Sequence, residues 1–87
     1  MTFDQWIDAV DAQVRGRLGR QVRTEELSWD SAMWVGGAGT VVAALQDDET
    51  TAKLSFDQGD SLSVRVDQTR PEVVAGTIVE RLGSRTA

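Results

Sequence analysis

The stretch from Thr40 to Asp67 restricts the fold of this chain more than any other. It carries three short apolar rows: Val41, Ala43 and Leu45; then Ala52, Leu54 and Phe56; then Leu62, Val64 and Val66. Each row alternates with other residues at a period of two, the pattern of a strand with one face buried and one wet. Ser55, Asp57, Ser63, Arg65 and Asp67 fill the wet positions of the last two rows. The rows are separated by Asp47-Asp48-Glu49-Thr50 and Asp57-Gln58-Gly59-Asp60, both rich in turn-forming residues, with Gly59 able to take a left-handed conformation. The expected structure is a three-stranded antiparallel meander. Because VVAALQ contains two alanines and a leucine, a helix over residues 40–47 stays open as an alternative for the first row.

Both flanks of this segment switch to the helical period. Phe3, Trp6, Ile7, Val10, Val14 and Leu18 fall on one face at 3.6 residues per turn, predicting a helix over residues 2–18. Thr2 and Gln5 have capping-box spacing, and Met1 and Trp6 stand as the two halves of a hydrophobic staple. Gly19 is suited to end the helix. A second helix is predicted over residues 70–82, with Val74, Ala75, Ile78, Val79 and Leu82 as its stripe, Thr69 and Glu72 as a capping box and Pro71 in the first turn. Small Ala75 and Gly76 predict a close approach of this helix to the sheet, and Gly83 closes it before a frayed tail.

Residues 21–36 admit more than one reading. Val22 and Thr24 begin an edge strand, or Thr24 caps a single helical turn with Leu27. Ser28-Trp29-Asp30-Ser31 is turn-like. Ala32 to Val35 form a fourth strand paired through the following glycines with Thr40–Gln46, or a short turn capped by Asp30 or Ser31; the strand is the preferred reading. Gly37-Ala38-Gly39 after a valine has the first two glycines of a dinucleotide fingerprint, with an acid 20 residues on at Asp57. The third glycine is replaced by Val42, and the chain is too short for two mononucleotide-binding halves, so a hairpin loop is the expected role.

The fold class that follows is α+β: a single domain over residues 1–87, order α-β-β-β-(β)-α, an antiparallel meander with both helices packed on one face and residues 83–87 as the tail. The order α-β-β-β-α resembles the topology of double-stranded-RNA-binding domains. That family has a lysine-rich start to its second helix, where this chain reads Thr69-Arg70-Pro71-Glu72.

Composition narrows function mainly by exclusion. The chain of 87 residues has no His, Cys or Tyr, which removes the commonest general base, the thiol nucleophile and the commonest metal ligand. No catalytic residue, cofactor or metal is expected; neither acidic turn has the ligand spacing of a calcium loop. No secretory pattern or long apolar run is present, and a cytoplasmic protein is expected.

The net charge of −5 is unevenly spread. Asp4, Asp8 and Asp11 share a sector of the first helix, with Arg15 placed for an i,i+4 pair with Asp11. That sector is either a solvated face or a strip that docks on a basic partner. Arg15, Arg17, Arg20 and Arg23 form a basic cluster, followed by acids. Trp29 and Trp34 are core residues or exposed binding anchors.

The leading expectation is a small, acidic, non-catalytic protein-binding module: an adaptor, inhibitor or immunity-type protein, a role that suits carriage on a phage or mobile element. Its candidate contacts are Asp4, Asp8, Asp11, Trp29 and Trp34, and its partner is another protein, basic by preference. The alternative is a nucleic-acid-binding regulator using Arg15, Arg17, Arg20 and Arg23. A homodimer through a sheet edge is a further expectation; a membrane partner is not.

Overall fold

The computed structural model describes residues 2–25, 30–37 and 39–83. Helix α1 (Phe3–Leu18) is followed by one 3₁₀ turn (Gly19–Gln21). Then come β1 (Val22–Glu25), β2 (Ser31–Gly36), β3 (Gly39–Leu45), β4 (Thr51–Phe56) and β5 (Ser61–Arg65), and finally α2 (Pro71–Gly83). The strands form one antiparallel sheet in sequence order, β1-β2-β3-β4-β5. The meander expected from Thr40–Asp67 is present, and residues 22–25 and 31–36 extend it to five strands. The helical alternative for residues 40–47 is not adopted. Two strands beyond the three-stranded order also separate the sheet from the topology of double-stranded-RNA-binding domains.

Helix α1 starts as its first residues dictate. Thr2 Oγ1 accepts from the Gln5 N–H at 3.2 Å, and Gln5 Oε1 accepts from the Thr2 N–H at 3.0 Å. Its six stripe residues are all buried. The staple to Met1 lies outside the described residues. Trp6 is fully buried, and its indole N–H donates to the carbonyl of Thr69 at 2.9 Å, tying α1 to the approach of α2. Helix α2 begins at Pro71, which places Thr69 before the cap. The expected Thr69–Glu72 box is absent from the hydrogen bonds of the described residues, because the register of α2 starts one residue later than the box requires.

A single core joins α1, α2 and one face of the sheet. The strands contribute Ala32, Trp34, Val41, Ala43, Ala52, Leu54 and Phe56, which the pairing register sets side by side. The small residue that lets α2 approach the sheet is Gly36, where a Cβ would lie 3.0 Å from Leu82 Cβ. Gly76 instead faces Arg17 of α1, so the expectation that it contacts the sheet is corrected.

The glycines after Val35 make a hairpin, with Gly36 opposite Gly39. Gly39 has φ +150°, and a Cβ there would lie 2.6 Å from Asp57 Oδ2. That carboxylate accepts from the Thr40 N–H at 3.0 Å. The acid that matched the fingerprint spacing therefore binds the hairpin's own backbone.

Candidate interaction surfaces of the sheet

The helices occupy one face of the sheet, and no described element covers the other. On that open face the register lines up Glu25, Met33, Val42, Ser55 and Ser61 across all five strands. Beside this row run Arg23, Val35 and Thr40 on one side and Ser31, Ala44, Lys53 and Ser63 on the other. Met33, Val35, Val42 and Ala44 form a half-buried apolar centre over β2 and β3. Charges stand around it: Arg23 and Glu25 on β1, Lys53 on β4 and Arg65 on β5. Arg23 Nε pairs with Glu25 Oε2 at 2.6 Å, and Arg65 pairs with Asp67 at 3.3 Å.

This apolar centre is absent from the candidate residues read in the sequence. Its signal was present but ambiguous. The row Val41, Ala43 and Leu45 leaves Val42 and Ala44 for the opposite face, but AMWV is a continuous apolar run that does not say which of its residues face the helices. The expected wet positions are only partly on this face. Ser55, Ser63 and Arg65 are there, whereas Asp57 and Asp67 lie in turns beyond the strand ends.

The candidate docking residues are dispersed. Asp4 and Asp8 are exposed on α1. Asp11 is half-buried, and its Oδ1 accepts from Thr24 Oγ1 at 2.7 Å and from Trp34 Nε1 at 2.9 Å. Trp34 is 0 % exposed, which makes it a core residue and removes it as a docking anchor. The reason is physical: a buried indole N–H needs an acceptor, and Asp11 supplies one from the helix packed above. The expected Asp11–Arg15 pair is not among the ion pairs of the described residues. Trp29 lies outside the described residues.

The basic cluster is split as well. Arg15, Arg17, Arg20 and Arg23 are all exposed, but Arg17 lies beside Gly76 of α2 while Arg23 pairs with Glu25. Arg20 and Arg23 come together at a shallow depression bounded by Val22, Val35 and Gly36.

The acidic turns serve the backbone. Asp48 accepts from the N–H groups of Thr50 (3.0 Å) and Thr51 (2.9 Å) and from the Thr51 hydroxyl (2.7 Å). These bonds, the one from the Thr50 N–H foremost, favour its charged form and lower its pKa to about 2. Asp60 is held below the usual carboxylate range by its hydrogen bonds from Arg81, which joins α2 to the start of β5. The Arg81 guanidinium also lies over the Phe56 ring, 4.0 Å from its centroid. Among the described residues, no three His, Cys, Asp or Glu gather as a metal ligand set, and no helix is long and apolar enough to cross a membrane.

In comparisons with known proteins, the chain matches no family model, no curated protein and no solved structure.

Proposed function

We propose that this is a non-catalytic protein-binding module, an adaptor or inhibitor, whose contact surface is the helix-free face of the sheet. One observation carries the reading: the apolar centre Met33, Val35, Val42 and Ala44, set among the charges of Arg23, Glu25, Lys53 and Arg65. An apolar centre with a charged rim is the layout of a protein interface, where desolvation of the centre stabilises and the rim sets orientation. The net charge of −5 steers basic partners toward the molecule at long range. The lack of His and Cys supports the non-catalytic part of the reading.

The test is capture from lysate of the source cell, with and without nuclease, by wild-type protein and two variants. Val42→Lys puts a charge at the centre of the open face, where the long side chain can still reach water without unfolding the strand. Asp8→Lys alters the acidic strip of α1 and leaves the sheet untouched. The expected result is one protein retained at near-equal stoichiometry by wild type and Asp8→Lys, lost with Val42→Lys and indifferent to nuclease. Loss with Asp8→Lys alone moves the contact to α1. Loss on nuclease treatment replaces the proposal with nucleic-acid binding through Arg15, Arg17, Arg20 and Arg23.

A further inference from the structure

Strand β5 is left incomplete by the fold in two respects. The first is its backbone. The Phe56 N–H donates to the Asp60 carbonyl, and the Val66 N–H donates to the Thr50 carbonyl. Hydrogen-bonded pairs alternate along an antiparallel ladder. With Leu54 opposite Leu62 and Ala52 opposite Val64, the backbone groups of Leu62 and Val64 point to β4. Those of Ser61, Ser63 and Arg65 therefore point away from the sheet. Of these, the Arg65 carbonyl accepts from the Gln68 N–H at 3.1 Å. The second respect is its apolar side. Leu62 lies on the helix-side face, yet it is 40 % exposed. Along β5, Val64 packs against the core, while Ser61, Leu62, Ser63 and Arg65 stay exposed.

We infer that β5 pairs antiparallel with β5 of a second copy of this chain, about a two-fold axis at Ser63. This is separate from the reading of the open face, which it leaves accessible. Three features select this occupant and this register. The outward backbone groups sit on alternate residues centred on Ser63, so a two-fold there sets outward groups against outward groups. The two Ser63 residues exchange hydrogen bonds, and each Arg65 N–H meets the Ser61 carbonyl of the other copy. The same register places Leu62 of each copy opposite Val64 of the other, so the exposed leucines are covered by the only apolar neighbours the strand can offer. Finally, the sole charge within β5 is Arg65, and it faces Ser61 rather than its own copy. An edge strand without proline, bulge or central charge lacks the usual protection against such pairing.

The register makes residue 63 its own neighbour, and this supplies the test. Ser63→Lys and Ser63→Glu each place like charges opposite one another across the axis, while mixing them places opposite charges there. Sedimentation and light scattering of wild type are expected to show a concentration-dependent dimer. Each variant alone should weaken it about tenfold or more, and the equimolar mixture should restore it as a heterodimer. Ser63→Pro removes an N–H that the monomer does not use, as edge strands tolerate, and should give a folded monomer by circular dichroism. A wild-type protein that stays monomeric at about 1 mM overturns the inference. So does a dimer that the two charge variants fail to disperse and rescue, or one dispersed by Val42→Lys instead, which would place the contact on the open face.

Discussion

The two edges of the sheet are finished in different ways. Strand β1 is four residues long and anchored on the helix side, where Thr24 donates to Asp11 of α1. On its other side Arg23 and Glu25 form an ion pair, so charge faces any approaching strand. Strand β5 has five residues, with only Val64 packed against the core and no charge before its last position. The difference arises from where the helices lie. Helix α1 packs along β1 and α2 over β2 and β3, with Arg81 reaching Phe56 of β4 and Asp60, while Leu62 on β5 is left 40 % exposed. An edge that carries charge along its short length is protected from pairing, whereas β5, held to α2 at its start through Asp60, leaves most of its length exposed.

The sharpest probe of that contrast is a pair of leucines that face each other across strands. Leu54 on β4 is fully buried and Leu62 on β5 is its direct neighbour. Leu54→Ala should cost about 2–5 kcal/mol in chemical denaturation of the chain, the range for a buried leucine. Leu62→Ala should cost less than about 1 kcal/mol under conditions where the protein is monomeric. Equal losses would mean that the helix layer does reach β5 in solution.

The next effect concerns the other edge. Asp11→Ala leaves the buried Trp34 N–H and the Thr24 hydroxyl without their acceptor and should destabilise by about 1–3 kcal/mol. Amide exchange in β1 should speed up more than in β5. A variant as stable as wild type would show that Asp11 is a surface acid after all and return it to the docking strip.

Arg81 ties the start of β5 to α2 through Asp60, at a solvent-exposed site. Arg81→Gln should therefore leave global stability nearly unchanged while raising amide exchange in β5. Unchanged exchange would show that pairing with β4 alone holds the strand.

The smallest effect is that of acid. The carboxyls of Asp48 and Asp60 have folded pKa values below the ordinary 3.8, so the unfolded chain takes up their protons first. Their stabilisation is complete above that ordinary value and fades as pH falls through the folded pKa, which for Asp48 means from 3.8 down to about 2. Carboxyl carbon shifts followed by NMR should titrate Asp48 near the lower figure, and Asp48→Asn should flatten the loss of stability over that window. Titration of Asp48 at an ordinary carboxylate value would refute the hydrogen bonding of the β3–β4 turn.

Much of the architecture was legible in the chain because local patterns and tertiary burial agree. The α1 stripe, its Thr2–Gln5 cap and the alternation in β4 all read directly. Leu62 shows where this breaks down. Its alternation placed it correctly on the helix-side face, but alternation says nothing about whether a helix extends above it. The same limit applies to the open face. The row Val41, Ala43 and Leu45 left Val42 off the core face, but the continuous run AMWV did not say whether Met33 or Trp34 faces inward, and no local pattern showed that the two strands set their outward apolar residues side by side. Asp11 read as a surface acid beside Asp4 and Asp8, placed to pair with Arg15, and only the packing of α1 over Trp34 made it an internal acceptor.

By itself, then, the sequence determined the elements that rest on neighbours a few residues away: helix periods and the α1 cap, strand alternation and turn chemistry. It also determined the absence of His and Cys, which limits the chemistry available to any site. Tertiary structure decided which side chains the helix layer covers and which it leaves open. That choice depends on the placement of two helices over five strands, a contact among segments distant in sequence, and no local period encodes it. The open apolar face, the internal acceptor Asp11 and the exposure of β5 among the described residues all follow from it.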